Sequence, residues 1–503
     1  MGTPDAAWRA LRDAARLEGM AFRTALADPR CAQLNLLAEI VVSNRDCAFG
    51  AAHEFGAIRD IAAFRARVPI RDDAWFASEI AATARDGTVR LTSAAPLAFE
   101  RTGGSSGGAK LVAYNPALLA AFRSATLAWL DGVFTRFPAV TRGRFYATIS
   151  PATRAPEVTA SGLPIGLGSD AAYLGEALAG HFLALLAVPP QLGLIADPEE
   201  WRIATLAALI AAEDLTFVSL WSPTFLLALI DALPQLADAV AARLPPPDRL
   251  RLAAALAGSD IDTARLWPML TCISCWTDGA SAAFAQGLAA RFPHAAIDPK
   301  GVLATEAPIT LTYGPVARRV PALSQCFTEF VAADDTAHLC DELAVGETYR
   351  AVITTPGGLY RYDMGDVFRC RAIDGGVPEL EFVGRAGLTS DLVGEKLEDG
   401  FVASVLAGLP AVLAPRRDAT GYEVLIDARH ASPVDLAAIE RGLDANPQYA
   451  YARKIGQLAP LALRKINNLP RKLIASGIAA GRVMGDIKTS GLLLAPLTEG
   501  SRQ

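Results

Sequence analysis

Between residues 102 and 110 the chain reads Thr-Gly-Gly-Ser-Ser-Gly-Gly-Ala-Lys, three hydroxyls and four glycines ending on one ammonium. This is the chemistry of a phosphate cradle: glycines let backbone amides face an anion, hydroxyls donate to its oxygens, and lysine neutralises its charge. Several loop designs compete for it. A Walker loop needs Gly-x4-Gly-Lys, and although Gly103 and Gly108 have that spacing, Ala109 follows where lysine is required. A Rossmann loop needs Gly-x-Gly-x-x-Gly opening a helix, with an acidic ribose ligand further on that is missing here. Both Gly103–Gly107 and Gly104–Gly108 satisfy the Gly-x-Ser-x-Gly of a hydrolase elbow, but an elbow leads straight into a helix. Here Lys110 leads into the strand-like Leu111-Val112-Ala113-Tyr114, and five histidines leave few candidate bases. What remains is a phosphate-binding hairpin between Leu97-Ala98-Phe99 and Leu111-Val112-Ala113.

The elements that must position this loop alternate along the chain. Alanine-rich amphipathic segments such as Pro116 to Trp129 and Ala171 to Ala187 are interleaved with short apolar runs such as Phe145 to Ile149 and Leu215 to Trp221, which predicts an α/β architecture. Met1 to Phe22 mixes charged and apolar residues as an amphipathic helix does, leaving no apolar core for a signal peptide. Leu215 to Ile230 carries no charge, yet Ser219, Ser222 and Pro223 interrupt it, so a buried strand followed by a buried helix is expected there and no membrane partner. With 47 basic and 53 acidic residues spread through the 503, no basic stripe faces a nucleic acid. Seven cysteines do not form an even framework, so a reduced, cytoplasmic protein is expected, and the isolated Cys272-Ile273-Ser274-Cys275 reads as buried thiols. Thr348 to Thr354 and Glu379 to Val383 are the last strong strand signals of the main body. The boundary is placed at residue 385, giving a large domain over 1–385 and a small α+β domain over 386–503 with a strand at Gly421 to Ile426 and a helix at Pro433 to Leu443.

Three further segments follow the glycine loop in order: Lys300-Gly301-Val302-Leu303-Ala304-Thr305-Glu306, Tyr360-Arg361-Tyr362-Asp363-Met364-Gly365-Asp366, and Phe382-Val383-Gly384-Arg385. Alone, each is an ordinary surface or turn pattern. Together with Thr102–Lys110, which aligns without gaps on the phosphate loop of adenylate-forming enzymes, they resemble that superfamily's nucleotide motifs. The finer resemblance, over most of the chain, is to the auxin-responsive-promoter family of acyl acid amido synthetases and its bacterial branch. It rests also on Phe99-Glu100-Arg101-Thr102, on Ile273 to Gly279, on Leu359 to Val367, on Asp391 to Glu398, and on Gly485-Asp486-Ile487-Lys488.

The resemblance implies a large adenylate-forming domain of β-sheets flanked by helices and a small mobile C-terminal domain. It implies ATP-dependent activation of a carboxylic acid as an acyl adenylate, with release of pyrophosphate and transfer to an amine or amino acid. ATP would be held by Thr102, Gly104, Ser105, Ser106, Gly107, Thr277, Asp278, Gly279, Thr305, Asp366 and Arg385. Lys110, Glu306, Lys396 and Lys488 would be catalytic, Glu306 as the Mg²⁺ ligand. Tyr173, His181, Trp221 and Trp276 would line the acyl pocket, although a tyrosine and a histidine on an apolar helix are also ordinary core residues. The sequence departs from the pattern at Gly103, at Ala109 and after Lys488, where Thr489-Ser490 stand. A thiol acceptor, as in acyl-CoA synthetases, and a nucleotide-binding protein without turnover are the alternatives. The expected form is a monomer or homodimer.

Overall fold

The computed structural model describes residues 4–102, 110–147, 157–167, 170–480, 482 and 484–497. They divide into two compact units, one made of Met1–Thr141, Arg154–Leu185 and Lys300–Phe382, the other of Arg142–Thr153, Leu186–Pro299 and Val383–Gln503.

The first unit opens with the expected amphipathic helix, Pro4–Ala27, which buries Trp8, Leu11, Ala15, Gly19 and Phe22 along one stripe. It crosses the long helix Pro116–Arg136 closely: a Cβ on Gly19 would lie 2.0 Å from the Asp131 carboxylate. At that crossing the Tyr313 hydroxyl meets the Gly19 carbonyl at 3.0 Å and Asp131 at 2.9 Å. The long helix starts where Asn115 accepts the Leu118 N–H at 2.9 Å and Pro116 occupies the first turn, where no amide partner is needed. Among the described residues it is the one single helix long and apolar enough to cross a membrane, and half of that apolar window is buried inside the protein.

A five-stranded antiparallel sheet, in the order Ala337–His338, Phe327–Val331, Thr348–Thr354, Tyr362–Asp374, Val377–Arg385, carries the second half of this unit. The Ala171–Ala187 helix expected from composition is broken. A 3₁₀ turn over Asp170–Leu174 is followed by a helix over Glu176–Ala184, and between them Gly175 has φ 77°, a left-handed value that ends any continuous helix. The second piece buries none of its residues.

The second unit contains a four-stranded parallel sheet in the order Arg144–Ala147, Leu215–Ser219, Cys272–Cys275, Ala296–Pro299. As expected, Leu215–Ser219 is a nearly fully buried strand followed by a helix, Pro223–Asp231, that is buried from Pro223 to Ile230. Its C-terminal segment forms a three-stranded sheet of Ala411–Pro415, Tyr422–Asp427 and Ala462–Ile466, flanked by helices that include Asp399–Val405, Leu436–Leu443 and Leu469–Ala479. Phe225 and Leu226 share one apolar core with Val412, Ala414, Leu425 and Ile474. The chain enters this last segment at Val383, close to residue 385, but the segment groups with Leu186–Pro299 because that core is common to both.

Candidate active site

The glycine loop is closed by an antiparallel hairpin. Ala98–Arg101 pairs with Leu111–Tyr114 from Ala98↔Tyr114 to Arg101↔Leu111. Beyond the last pair, the Thr102 N–H donates to the Lys110 carbonyl at 2.8 Å and the Lys110 N–H donates to the Thr102 hydroxyl at 3.2 Å. Gly104, Ser105, Ser106 and Gly107 lie outside the described residues. A strand, Leu111–Tyr114, follows the loop, so the helix that a hydrolase elbow needs is not in place. The Lys110 ammonium contacts Asp73 at 2.7 Å, a half-exposed ion pair whose carboxylate begins the helix Asp73–Asp86. Nothing in the spacing of Asp73, 37 residues upstream, marked it as a partner.

At the far end of the same hairpin the Tyr114 hydroxyl donates to the Thr305 carbonyl at 2.6 Å, tying the second motif to the first. Burial pushes the Tyr114 phenol well above its ordinary pKa, with Tyr173, Glu100 and Glu306 adding to the rise, so it acts as a neutral donor. The turn itself is fixed locally: Ala304 N–H donates to the Ala307 carbonyl at 3.0 Å, and Val302 N–H to the Thr310 hydroxyl at 2.9 Å. Gly301 is required, because a Cβ there would sit 2.0 Å from the Thr310 carbonyl oxygen. Glu306 is buried at 8% exposure and Thr305 is half-buried. Lys300 lies 4.8 Å over the Trp129 ring. Tyr173 packs edge-on against Tyr114 and Phe122, at 6.0 and 5.5 Å between ring centroids. It is thus beside the hairpin, whereas His181 is half-buried on the Glu176–Ala184 helix.

Asp366 lies inside the strand Tyr362–Asp374 and not in a simple turn. The register against Thr348–Thr354 shifts between Arg350↔Val367 and Val352↔Asp363, leaving Met364, Gly365 and Asp366 opposite Ala351. Such a bulge re-aims side chains next to functional sites. Gly365 takes φ 73° and donates its N–H to Asp363 at 2.9 Å. Asp366 is 3% exposed. Arg361, at φ 45°, leads into the bulge with its guanidinium clamped on fully buried Glu329.

In the second unit Trp221 and Trp276 to Gly279 follow the carboxyl ends of parallel strands, where open α/β sheets bind ligands. Trp221 follows Leu215–Ser219 and Trp276 follows Cys272–Cys275. The Trp276 N–H donates to the Trp221 carbonyl at 2.8 Å, and the two rings lie 5.7 Å apart. Thr277 and Asp278 come next, and Gly279, at φ 52°, opens the turn into the helix Ala282–Arg291. Cys272 and Cys275 are buried within their strand. The Lys488 ammonium stands 5.6 Å over the Trp276 ring, and next to it the Thr489 hydroxyl is 3.1 Å from that of Ser222. Lys396 is exposed, with a positive φ of 47°. Arg385 ends its strand, and Gly384 before it passes so close to Gly400 that a Cβ would be 2.8 Å from the neighbouring Cα.

Residues 20–297 match the GH3 family N-terminal domain and residues 320–385 the GH3 family central domain. The chain belongs to the GH3 family. A jasmonoyl–L-amino acid synthetase, GH3.5, of Oryza sativa subsp. japonica is 31% identical over 150 residues, 24% of each chain. An indole-3-acetic acid-amido synthetase, GH3.4, of Arabidopsis thaliana is 30% identical over 84 residues, 17% of this chain and 14% of that one. The aligned segments thus span about a quarter or less of these relatives. The fold is that of the GH3.15 acyl acid amido synthetase solved with 2,4-DB, at a TM-score of 0.80 and 15% identity, covering 94% of this chain and 93% of that one. A 2-hydroxyisobutyryl-CoA ligase shares it more distantly, at a TM-score of 0.54, 12% identity and coverage of 92% and 88%.

Within this GH3 chain the first unit therefore brings Thr102, Lys110, Thr305 and Tyr173 onto or beside one hydrogen-bonded hairpin. The second brings Trp221, Trp276 and Lys488 together at the carboxyl end of its parallel sheet. Sequence reasoning missed Asp73 and the linking role of Tyr114, because neither lies within a motif that marks it.

Proposed function

We propose that this GH3 family member activates a carboxylic acid with ATP and passes the acyl group to an amine or amino acid. A carboxylate oxygen attacks the α-phosphorus, the bond to the β-phosphate oxygen breaks, and pyrophosphate leaves behind an acyl adenylate. The amine nitrogen then attacks the acyl carbon and AMP departs. The observation that carries this reading is the Tyr114–Thr305 hydrogen bond, which fixes the lysine-bearing phosphate hairpin against the Thr305-Glu306 turn. The names of the plant relatives, an amino acid synthetase and an amido synthetase, support an amino acid as acceptor.

Lys110 and the loop neutralise the departing pyrophosphate, Thr305 meets the α-phosphate, and Asp366 accepts from the ribose hydroxyls, so catalysis rests on positioning and charge. Trp276 and Trp221 flank the adenine and acyl groups. Glu306 fits Mg²⁺: it is a buried carboxylate on a fixed turn. Among the described residues no cluster of three or more His, Cys, Asp or Glu competes, and Mg²⁺ takes one or two carboxylates and completes its shell with phosphate and water. When bound, the ion supplies positive charge to the phosphate oxygens. A rotation of residues 386–503 about Arg385 to Lys396 between half-reactions, with Lys488 serving adenylation and leaving for amine entry, would have to part the apolar core that this segment shares with Leu186–Pro299. The positive φ of Lys396 marks a strained backbone position in that segment.

The test is acid-dependent pyrophosphate exchange across a carboxylate library, followed by mass spectrometry of products with amino acids, amines and CoA. Silence across the library would remove the reading, and thioester alone would replace the amine acceptor.

A further inference from the structure

Three helices of the second unit, Pro198–Ala211, Pro223–Asp231 and Leu469–Ala479, line a pocket open to solvent whose enclosed space is about 10 Å³, room for one water-sized group. Phe225, Leu229 and Ile474 give it apolar walls, and its polar equipment consists of Trp201, Arg202 and Arg471. All three offer only donors: an indole N–H and two guanidiniums accept no hydrogen bond. Among the described residues no carboxylate lines the pocket. Trp201 is 1% exposed, and its indole nitrogen is buried with no acceptor among the described residues, a situation that folded proteins normally avoid. Neither guanidinium has a hydrogen bond or ion pair among the described residues. Burial and then repulsion by Arg471 lower the Arg202 pKa, with Glu199 and Asp197 on its own helix offsetting part of the effect. Two like charges held together without an acidic partner are unfavourable unless an anion joins them.

We infer that the mouth of this pocket is a binding site for a small oxyanion, a carboxylate or phosphate group held between Arg202 and Arg471. The donor set defines the ligand: acceptor-only, negatively charged and small, with one oxygen reaching into the pocket and the rest at its mouth. Charge-assisted bonds to two guanidiniums are the strong class of hydrogen bond, and their planar forks match both groups. Because Arg202 and Arg471 sit on different helices, the ligand would tie Leu469–Ala479, which precedes Lys488 in the chain, to Pro198–Ala211.

Isothermal titration and thermal unfolding of the full chain, with sodium phosphate, sodium propionate and sodium chloride at matched ionic strength, test the inference. An anion that binds only the folded state raises the unfolding midpoint by mass action. At least one oxyanion is expected to do so where chloride does not, and the phosphate and propionate arms tell which group is preferred. Arg202→Gln and Arg471→Gln should each weaken that binding about tenfold, the worth of one charge-assisted hydrogen bond. Trp201→Phe, which keeps the ring and loses the N–H, should weaken it less. Lys110→Ala should leave it unchanged, separating this site from the glycine loop. Oxyanions no better than chloride, undiminished binding by both arginine variants, or loss in Lys110→Ala alone would each overturn the inference. Circular dichroism of the single Arg471→Gln variant, whose side chain is half-buried, verifies that any loss is not unfolding.

Discussion

Glu329 offers the sharpest test of how the strand that carries Asp366 is held. Its side chain is fully buried in Phe327–Val331, accepting from Arg361 Nε at 2.8 Å and Nη2 at 3.3 Å and from Arg65 Nε at 2.7 Å. Arg361 is itself 8% exposed and also donates to the Val68 carbonyl at 3.0 Å. Glu329→Gln preserves volume while deleting the charge, leaving one buried and one partly buried guanidinium without a counter-ion. Breaking a buried pair from one side costs about 3–5 kcal/mol, which for a cooperative unit of ordinary size lowers Tm by roughly 6–20 °C. Arg361 stands five residues before Asp366, so KM for ATP in pyrophosphate exchange should rise along with the loss of stability. Adding Arg361→Met removes the orphaned charge and should recover part of the stability, whereas ribose positioning should stay impaired. Chemical denaturation of the wild type, both singles and the double gives the coupling. A Glu329→Gln cost below about 1 kcal/mol, or strict additivity in the double, would refute the argument that this carboxylate holds the strand start.

Three other outcomes follow from the geometry. Asp73→Asn removes the carboxylate paired with Lys110; stability should change by less than about 1 kcal/mol, as for exposed ion pairs, while, on the proposed phosphate-binding role of Lys110, ATP titration shows tighter binding. Gly301→Ala drives a methyl into the Thr310 carbonyl, which backbone cannot yield cheaply, so a loss of about 3 kcal/mol and a fall in pyrophosphate exchange are expected from denaturant melts and assay. Asp399, which accepts from Ser490 and from the Leu492 N–H at 3.0 Å, has its pKa raised by burial against the lowering effect of those bonds. An acid whose folded pKa exceeds its unfolded value of about 3.8 contributes stability that is present below that pH and lost as pH rises through the folded pKa. Asp399→Asn should therefore flatten this decline in a series of melts from acid to neutral pH, and an unchanged slope would contradict the assignment.

Elements whose pattern is local were legible in the sequence. Thr348–Thr354 is a strand over the residues its β-branched run predicts, and the hairpin around the glycine loop follows from two short apolar segments. The Ala171–Ala187 helix failed because composition alone cannot reveal that Gly175 adopts a left-handed backbone. Asp366 reads as a turn residue after glycine, since a bulge depends on the partner strand and leaves no mark in its own sequence. The Glu329–Arg361 clamp and the Tyr114–Thr305 bond join residues 32 and 191 positions apart, and the grouping of Phe225 with Ile474 depends on a shared core. Such long-range pairings are set by tertiary packing, which no periodicity encodes.

The reciprocal hydrogen bonds between Thr102 and Lys110 separate two tasks that a single short loop would have to combine. The seven residues from Gly103 to Ala109 are bracketed by contacts that do not involve their side chains. Closing a somewhat longer insert adds little entropy cost, about 0.6 kcal/mol for each doubling of length. Substitutions and insertions between these two posts can therefore vary the loop without disturbing how the sheet folds. The segment is the natural place to diversify this scaffold, in a library or over evolutionary time.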